Sequence, residues 1–255
     1  MLGWRDPGDD AAMQDLVDEA QRYVDQGITA LKIRGGRALP HQGDVATVRA
    51  LREAFGESID ILVDANNEYK DHDTSIRMAR ALEEYGIYWL EDCFAFSAAF
   101  HPHEMARLSA EAPMNVASGG NVFSRFGLKQ LLDAGGVDVI MANTAKAGGI
   151  SEIKKIQAMC SAANRKFSSH CDGGLNTLSN LHVFASAPPH IVDDMLFEWD
   201  PVWPLDQLLA DPPVLRDGHV ELPTKPGLGS ALREGVEEQH PLRADTWYTS
   251  TSTSR

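Results

Sequence analysis

Several things are scarce in this sequence, and each scarcity closes off a class of function. No apolar run approaches the roughly 20 residues that a membrane-spanning helix requires, so no membrane partner is expected. The opening MLGWRDPGDD has no apolar segment of the kind found in secretory signals. Cysteine occurs only as Cys93, Cys160 and Cys171, with no CxxC spacing. Three cysteines cannot form a fully paired disulfide set, and a reducing cytoplasmic setting is expected. Cationic residues are outnumbered 23 to 37 by acidic ones, giving a formal net charge of −14. A nucleic-acid partner needs the opposite balance. A local lysine, arginine or metal can still recognise a small anion. No internal sequence repeat is present.

What is present is a switching hydrophobic period. The 255 residues are 43% apolar and 24% charged, ordinary for a globular chain of one large domain. Residues 11–26 place Met13, Leu16, Val17, Ala20, Tyr23 and Val24 on one helical face, and Gly27 ends the stretch. An apolar strand is expected at 28–34. Helical periodicity around Val45–Phe55 leads to a strand at 59–64, and that around Ile76–Leu82 to one at 87–91. Strands follow near 114–118, 137–142, 166–169 and 194–198, with helices near 125–134, 151–163 and 175–186. Spacings of 27 residues separate Asp64 from Glu91, Glu91 from Ser118, and Asn143 from His170. Alternating strands and helices imply βαβ units and a parallel sheet. Seven near-continuously apolar strands in succession favour a (β/α) barrel; a doubly wound open sheet is the alternative. From about residue 200, Pro201, Pro204, Pro212, Pro213, Pro223 and Pro226 exclude long elements. Residues 1–235 read as the barrel domain, and 236–255 as a polar, disordered tail.

The strand ends carry a row of polar residues. Lys32 and Arg34 close ITALKIR, Asp64 closes IDILVD, and Glu91 closes IYWLE. Asn143, His170 and Glu198 follow later runs. Alternation along a strand points Lys32 and Arg34 to the same side. Asp64 and Glu91, on successive strands, would converge at one mouth and could hold a hard divalent cation. His170 would approach from the far side as a general acid or base. Singly, each has a plainer reading: strand-end carboxylates cap helices, Lys-x-Arg pairs line solvated edges, and histidines serve as structural hydrogen-bonders. His101-x-His103 falls in a Pro-containing loop without further ligands. Cys171 beside His170 points to the opposite strand face and makes no nucleophilic pair.

Jointly, ALKIR, ILVDANNEY, YWLED, ASGGN, MANTAKAGGI, SSH and FEWD resemble the enolase superfamily, in its mandelate racemase/muconate lactonizing group, from about residue 10 to 230. The resemblance implies a modified TIM barrel, Mg²⁺, and removal of the proton α to a carboxylate to give an enediolate. It assigns Lys32 and Arg34 to substrate contact or catalysis, Asn66 to substrate binding, and Asp64 and Glu91 to the metal. His170 matches the base of the racemase and acid-sugar dehydratase branch. Glu198 matches a residue that hydrogen-bonds the substrate carboxylate or enediolate.

Three departures accompany the match. The third metal ligand falls on Gly120, with Asn121 as the neutral substitute. The acid that pairs with the histidine falls on Asn143, whose amide oxygen is expected to orient the ring. The family's α+β capping domain is not in this sequence, and the first barrel strand is largely missing. Unpaired edges of such a barrel call for a partner, so a homo-oligomer is expected. The reading is an acid-sugar dehydratase (a lyase), with a racemase or cycloisomerase as the close alternative. The alternative of another class is a catalytically impaired homologue that binds small acids or an intact partner chain.

Overall fold

The computed structural model describes residues 2, 5–36, 42–94, 101–170, 173–192 and 205–239. The expected alternation is present. Helix α1 (Asp10–Val24) precedes strand β1 (Ala30–Arg34), and α2 (Gln42–Phe55) precedes β2 (Asp60–Asp64). The chain continues through α3 (His72–Leu82), β3 (Trp89–Glu91), α4 (Pro102–Glu111), β4 (Asn115–Ser118) and α5 (Ser124–Asp133). It then forms β5 (Val139–Ala142), a short α6 (Thr144–Ala147), α7 (Ile150–Ala162), β6 (Lys166–Ser169) and α8 (Leu175–Ala185).

The six strands form one parallel sheet in the order β1-β2-β3-β4-β5-β6, an incomplete (β/α) barrel. Sequential order with every crossover through a helix separates it from a doubly wound sheet, whose strand order reverses at a switch point. At the open side of β1, Leu2 bridges in parallel to Ile33. It donates from its backbone N to Lys32 O at 2.7 Å. The strand expected at 194–198 lies outside the described residues.

Alternation along the strands produces two cores. Leu31, Ile33, Ile61, Val63, Leu90, Val116, Ile140 and Phe167 point outward to meet Leu16, Val48, Leu51, Leu82, Leu108, Leu128 and Ile156 of the helices. Leu62, Trp89, Ala117, Val139 and Met141 fill the barrel interior. Because the inner layer is apolar, polar side chains one register step further along emerge together at the C-terminal mouth. Arg34 pairs with Asp64 in the β1–β2 register, and Asp64 with Glu91 in β2–β3.

Helix α4 is a correction to the sequence reading, which placed His101 and His103 in a loop. Pro102 occupies the first turn and His101 the N-cap. Proline at that position costs no hydrogen bond and presets the helical φ, so it starts a helix where a Pro-containing loop was expected. Beyond residue 204 the chain forms only short pieces. A helix at Leu205–Leu208 packs Leu205 and Leu209 on Leu178. A two-stranded ribbon pairs Leu215–Arg216 with His219–Val220. The boundary placed at 235/236 coincides with a helical turn, Val236–Gln239, whose Val236 is buried.

Among the described residues, no helix is long and apolar enough to cross a membrane. Cys93 and Cys160 are buried and unpaired. Burial pushes the Cys160 thiol up to about 12 and the Cys93 thiol higher still.

Candidate active site

Lys32, Arg34, Asp64 and Glu91 meet at the mouth as two ion pairs. Lys32 Nζ donates to Glu91 Oε2 at 3.1 Å and Oε1 at 3.3 Å, and the Trp89 indole N–H donates to Oε2 at 3.2 Å. The Glu91 side chain is 1% exposed and that of Lys32 9%. Charges this buried persist only when paired and hydrogen-bonded. Arg34 Nη1 lies 3.1 Å from Asp64 Oδ2 and also donates to Asn66 Oδ1. Asn66 and Asn67 both have positive φ, and Asn66 N donates to Asp64 Oδ1 at 2.8 Å. The two left-handed residues turn the chain sharply off β2 and set Asp64 against Arg34; asparagine tolerates that conformation better than most residues.

The opposite wall holds His170. Its backbone N donates to Ala142 O at 3.1 Å, and its O accepts from Asn180 Nδ2 at 2.7 Å. Asn180, buried in α8, also takes the Thr144 hydroxyl and backbone N–H. The ring Nδ1 lies 3.2 Å from Asn143 Nδ2. This corrects the expectation that the amide oxygen of Asn143 faces the ring. That oxygen caps α6, accepting from Ala145 N at 2.9 Å and Lys146 N at 3.3 Å, so the nitrogen is what remains for His170.

The His170 ring lies over Gly120. A β-carbon built at Gly120 would fall 2.4 Å from His170 Cδ2 and 2.8 Å from Cγ. The imidazole therefore occupies the space into which a side chain from position 120 would project. Neighbouring Gly119, at φ +124°, lets the chain pass close over Met141 O. Asn121 sits at the mouth, where its Oδ1 accepts from Lys146 Nζ at 3.0 Å. Glu198 lies outside the described residues.

Asp92 was not foreseen as a site residue. At φ +45° it turns the chain after Glu91 and buries a third carboxyl, which accepts from Ser118 Oγ. Burial, and next the Asp64 charge, raise its pKa from the ordinary carboxylate value. The signal that could have found it was its place in YWLED, next to Glu91; the positive φ turns its side chain off the simple strand alternation.

The donor set can be tested against a hard divalent ion. Asp64 and Glu91 are adjacent, but each is neutralised by a cation of the chain. The third position has no side chain, its space is taken by an imidazole, and the neighbouring amide oxygen faces an ammonium. Among the described residues, no group of three His, Cys, Asp or Glu side chains is arranged to hold a metal ion. The described residues do not fit a three-carboxylate Mg²⁺ site.

Parallel strands in sequential order, with charged residues gathered at their C-terminal ends, define the class of (β/α)-barrel folds. Comparison with known proteins narrows this. A family profile described as "Enolase C-terminal domain-like" matches residues 15–236, and the chain belongs to that family. It is 29% identical over 233 residues to arabinonate dehydratase of Saccharolobus solfataricus, covering 91% of this chain and 60% of that protein. It is 29% identical to 3,6-anhydro-alpha-L-galactonate cycloisomerase of Streptomyces coelicolor, covering 86% and 56%. The solved L-talarate dehydratase of Polaromonas sp. JS666, complexed with Mg and L-glucarate, superposes with a TM-score of 0.75 at 26% identity, covering 93% and 63%. The relatives are thus acid-sugar dehydratases and cycloisomerases. The chain spans about three-fifths of the length of the curated relatives it matches.

Proposed function

We propose that the barrel mouth binds a small hydroxy-carboxylate of the acid-sugar class, and that this chain by itself does not carry out Mg²⁺-assisted α-proton abstraction. The observation that carries the reading is the His170 ring over Gly120, in the space of the missing third carboxylate. Three further features support it. The remaining carboxylates are neutralised internally. Asn143 offers His170 a donor where an imidazolium needs an acceptor. Arg34 is part-exposed, and among the described residues its bonds run from Nη1. The other guanidinium nitrogens keep donors in the planar fork that suits a carboxylate. The dehydratase and cycloisomerase relatives support the ligand class.

A second reading, the metal-dependent dehydratase, is favoured by one observation: Asp64 and Glu91 stand side by side in register with Lys32 and His170 near them. One experiment separates the two. Arabinonate, xylonate, galactonate and galactarate are titrated into the protein by calorimetry with Mg²⁺ and with EDTA, and each mixture is assayed for 2-keto-3-deoxy products. Binding that is indifferent to EDTA, without product, is the expected result. Mg²⁺-dependent product would overturn the first reading in favour of the second. No heat with any acid, under either condition, would remove ligand binding from the account.

A further inference from the structure

Asn180 goes against the preferences of its own helix. Asparagine is a weak helix former, and its amide is costly to bury without partners. Yet Asn180 lies inside α8 and is fully buried. Its side chain directs its hydrogen bonds out of the helix. Oδ1 accepts from Thr144 N at 3.2 Å and from the Thr144 hydroxyl, and Nδ2 donates to His170 O at 2.7 Å. Main-chain groups fix the orientation of this amide, because Oδ1 faces an N–H and Nδ2 faces a C=O. Exchanging the two would set donor against donor and acceptor against acceptor in a buried place.

The two residues so joined carry the two sides of one contact. Thr144 follows Asn143, whose Nδ2 lies 3.2 Å from the His170 ring. His170 leaves β6 with its N donating to Ala142 O at 3.1 Å and its O accepting from Asn180. Ser169, the last residue of β6, adds no side-chain tie: its buried hydroxyl has no hydrogen-bond partner. With both main-chain groups of His170 held, the ring has a fixed point from which to lie over Gly120, where a β-carbon would come within 2.4 Å of it.

We infer that Asn180 is a positioning residue: by bridging Thr144 and His170 it sets the His170 imidazole at the mouth, over Gly120 and beside Asn143. A space-filling Asn180 would be replaceable by Asp, which has the same shape. A bridging one is not, because an ionised carboxylate accepts at both oxygens and opposes His170 O. Protonated, the same carboxyl donates to that carbonyl again, and burial favours the protonated form. The consequence for ligand affinity rests on the binding reading proposed above; the positioning does not.

The test is ¹H–¹³C correlation of the histidine rings in the ligand-free full chain. Spectra are recorded near pH ~8 and ~5, on either side of the range in which a buried Asp carboxyl is expected to titrate. Each variant is compared with wild type at the same pH, and the His170 signals are those lost in His170→Gln. Asn180→Asp should displace the His170 signals at the higher pH, leave those of His103 and His219 in place, and return His170 to its wild-type position at the lower pH. Unchanged His170 signals at the higher pH overturn the inference, and so does an equal displacement at both. If Asn180→Asp folds at neither pH, Thr144→Val decides: it withdraws the hydroxyl from Oδ1, and His170 signals identical to wild type overturn the inference. Calorimetric titration of galactarate at the higher pH reports separately on the ligand. Asn180→Asp should bind about tenfold more weakly than wild type, the equivalent of about one hydrogen bond. No heat from wild type, or equal affinity despite a displaced ring, would count against the ligand reading and leave the positioning to be judged by the ring signals.

Discussion

Gly120→Ala is the smallest change that probes the packing of His170, and its cost can be worked from the structure. The added methyl would lie 2.4 Å from His170 Cδ2, 2.8 Å from Cγ and 3.2 Å from Nε2. Because Cγ is among the close atoms, turning the ring about its own axis gives no relief; the whole imidazole must swing away. A displacement of about 1 Å restores ordinary van der Waals contact and carries Nδ1 out of reach of Asn143. The lost hydrogen bond costs about 1 kcal/mol and the forced repacking about 1–2 kcal/mol more. Gly120 is not among the positive-φ residues, so backbone strain adds nothing. For a domain of this size, about 2–3 kcal/mol lowers Tm by roughly 4–12 °C. The assay is urea and thermal unfolding of wild type, Gly120→Ala, His170→Ala and the double variant. With the ring removed, alanine at 120 should be close to neutral, giving a coupling of about 2 kcal/mol between the sites. Equal destabilisation by Gly120→Ala in both backgrounds would refute the placement of the imidazole.

Three other outcomes follow from buried charges and thiols. Lys32→Met takes the ammonium away from the buried Glu91 carboxylate, and should destabilise by about 3–5 kcal/mol in urea unfolding, with Glu91→Gln in the same chain recovering much of the loss. Asp92 has a folded pKa above its unfolded value, so its contribution is fully present below about pH 3.9 and is lost as pH rises through the folded pKa. Asp92→Asn, which keeps an acceptor for Ser118, should therefore gain stability relative to wild type between about pH 4 and 7; a constant difference across that range would contradict the raised pKa. Cys93 and Cys160, buried with raised pKa values, should resist a thiol reagent near pH ~8 in the native state and react on unfolding.

The barrel was legible because each strand is a short apolar run closed by a polar residue. The strand expected at 166–169 is β6, and α7, expected at 151–163, spans Ile150–Ala162. Helix α4 was missed because Pro102 starts a helix as readily as it ends one. In the site, period-two alternation was enough to bring Lys32, Arg34, Asp64 and Glu91 to one mouth. It could not say that they would neutralise one another, since that depends on side-chain reach across neighbouring strands. The direction of the Asn143 amide was invisible for a similar reason: it is decided by the cap of α6, a four-residue helix too short to leave a periodic signal. The ring over Gly120 required knowing that two segments 50 residues apart touch.

The central claim is that, among the described residues, position 120 and the internal ion pairs leave no three-carboxylate Mg²⁺ site. Calorimetric titration of Mg²⁺ into the wild type and into Asp64→Asn tests it most directly. The two traces should be indistinguishable and show no saturable binding. One-to-one binding in the wild type that disappears in Asp64→Asn would contradict the account.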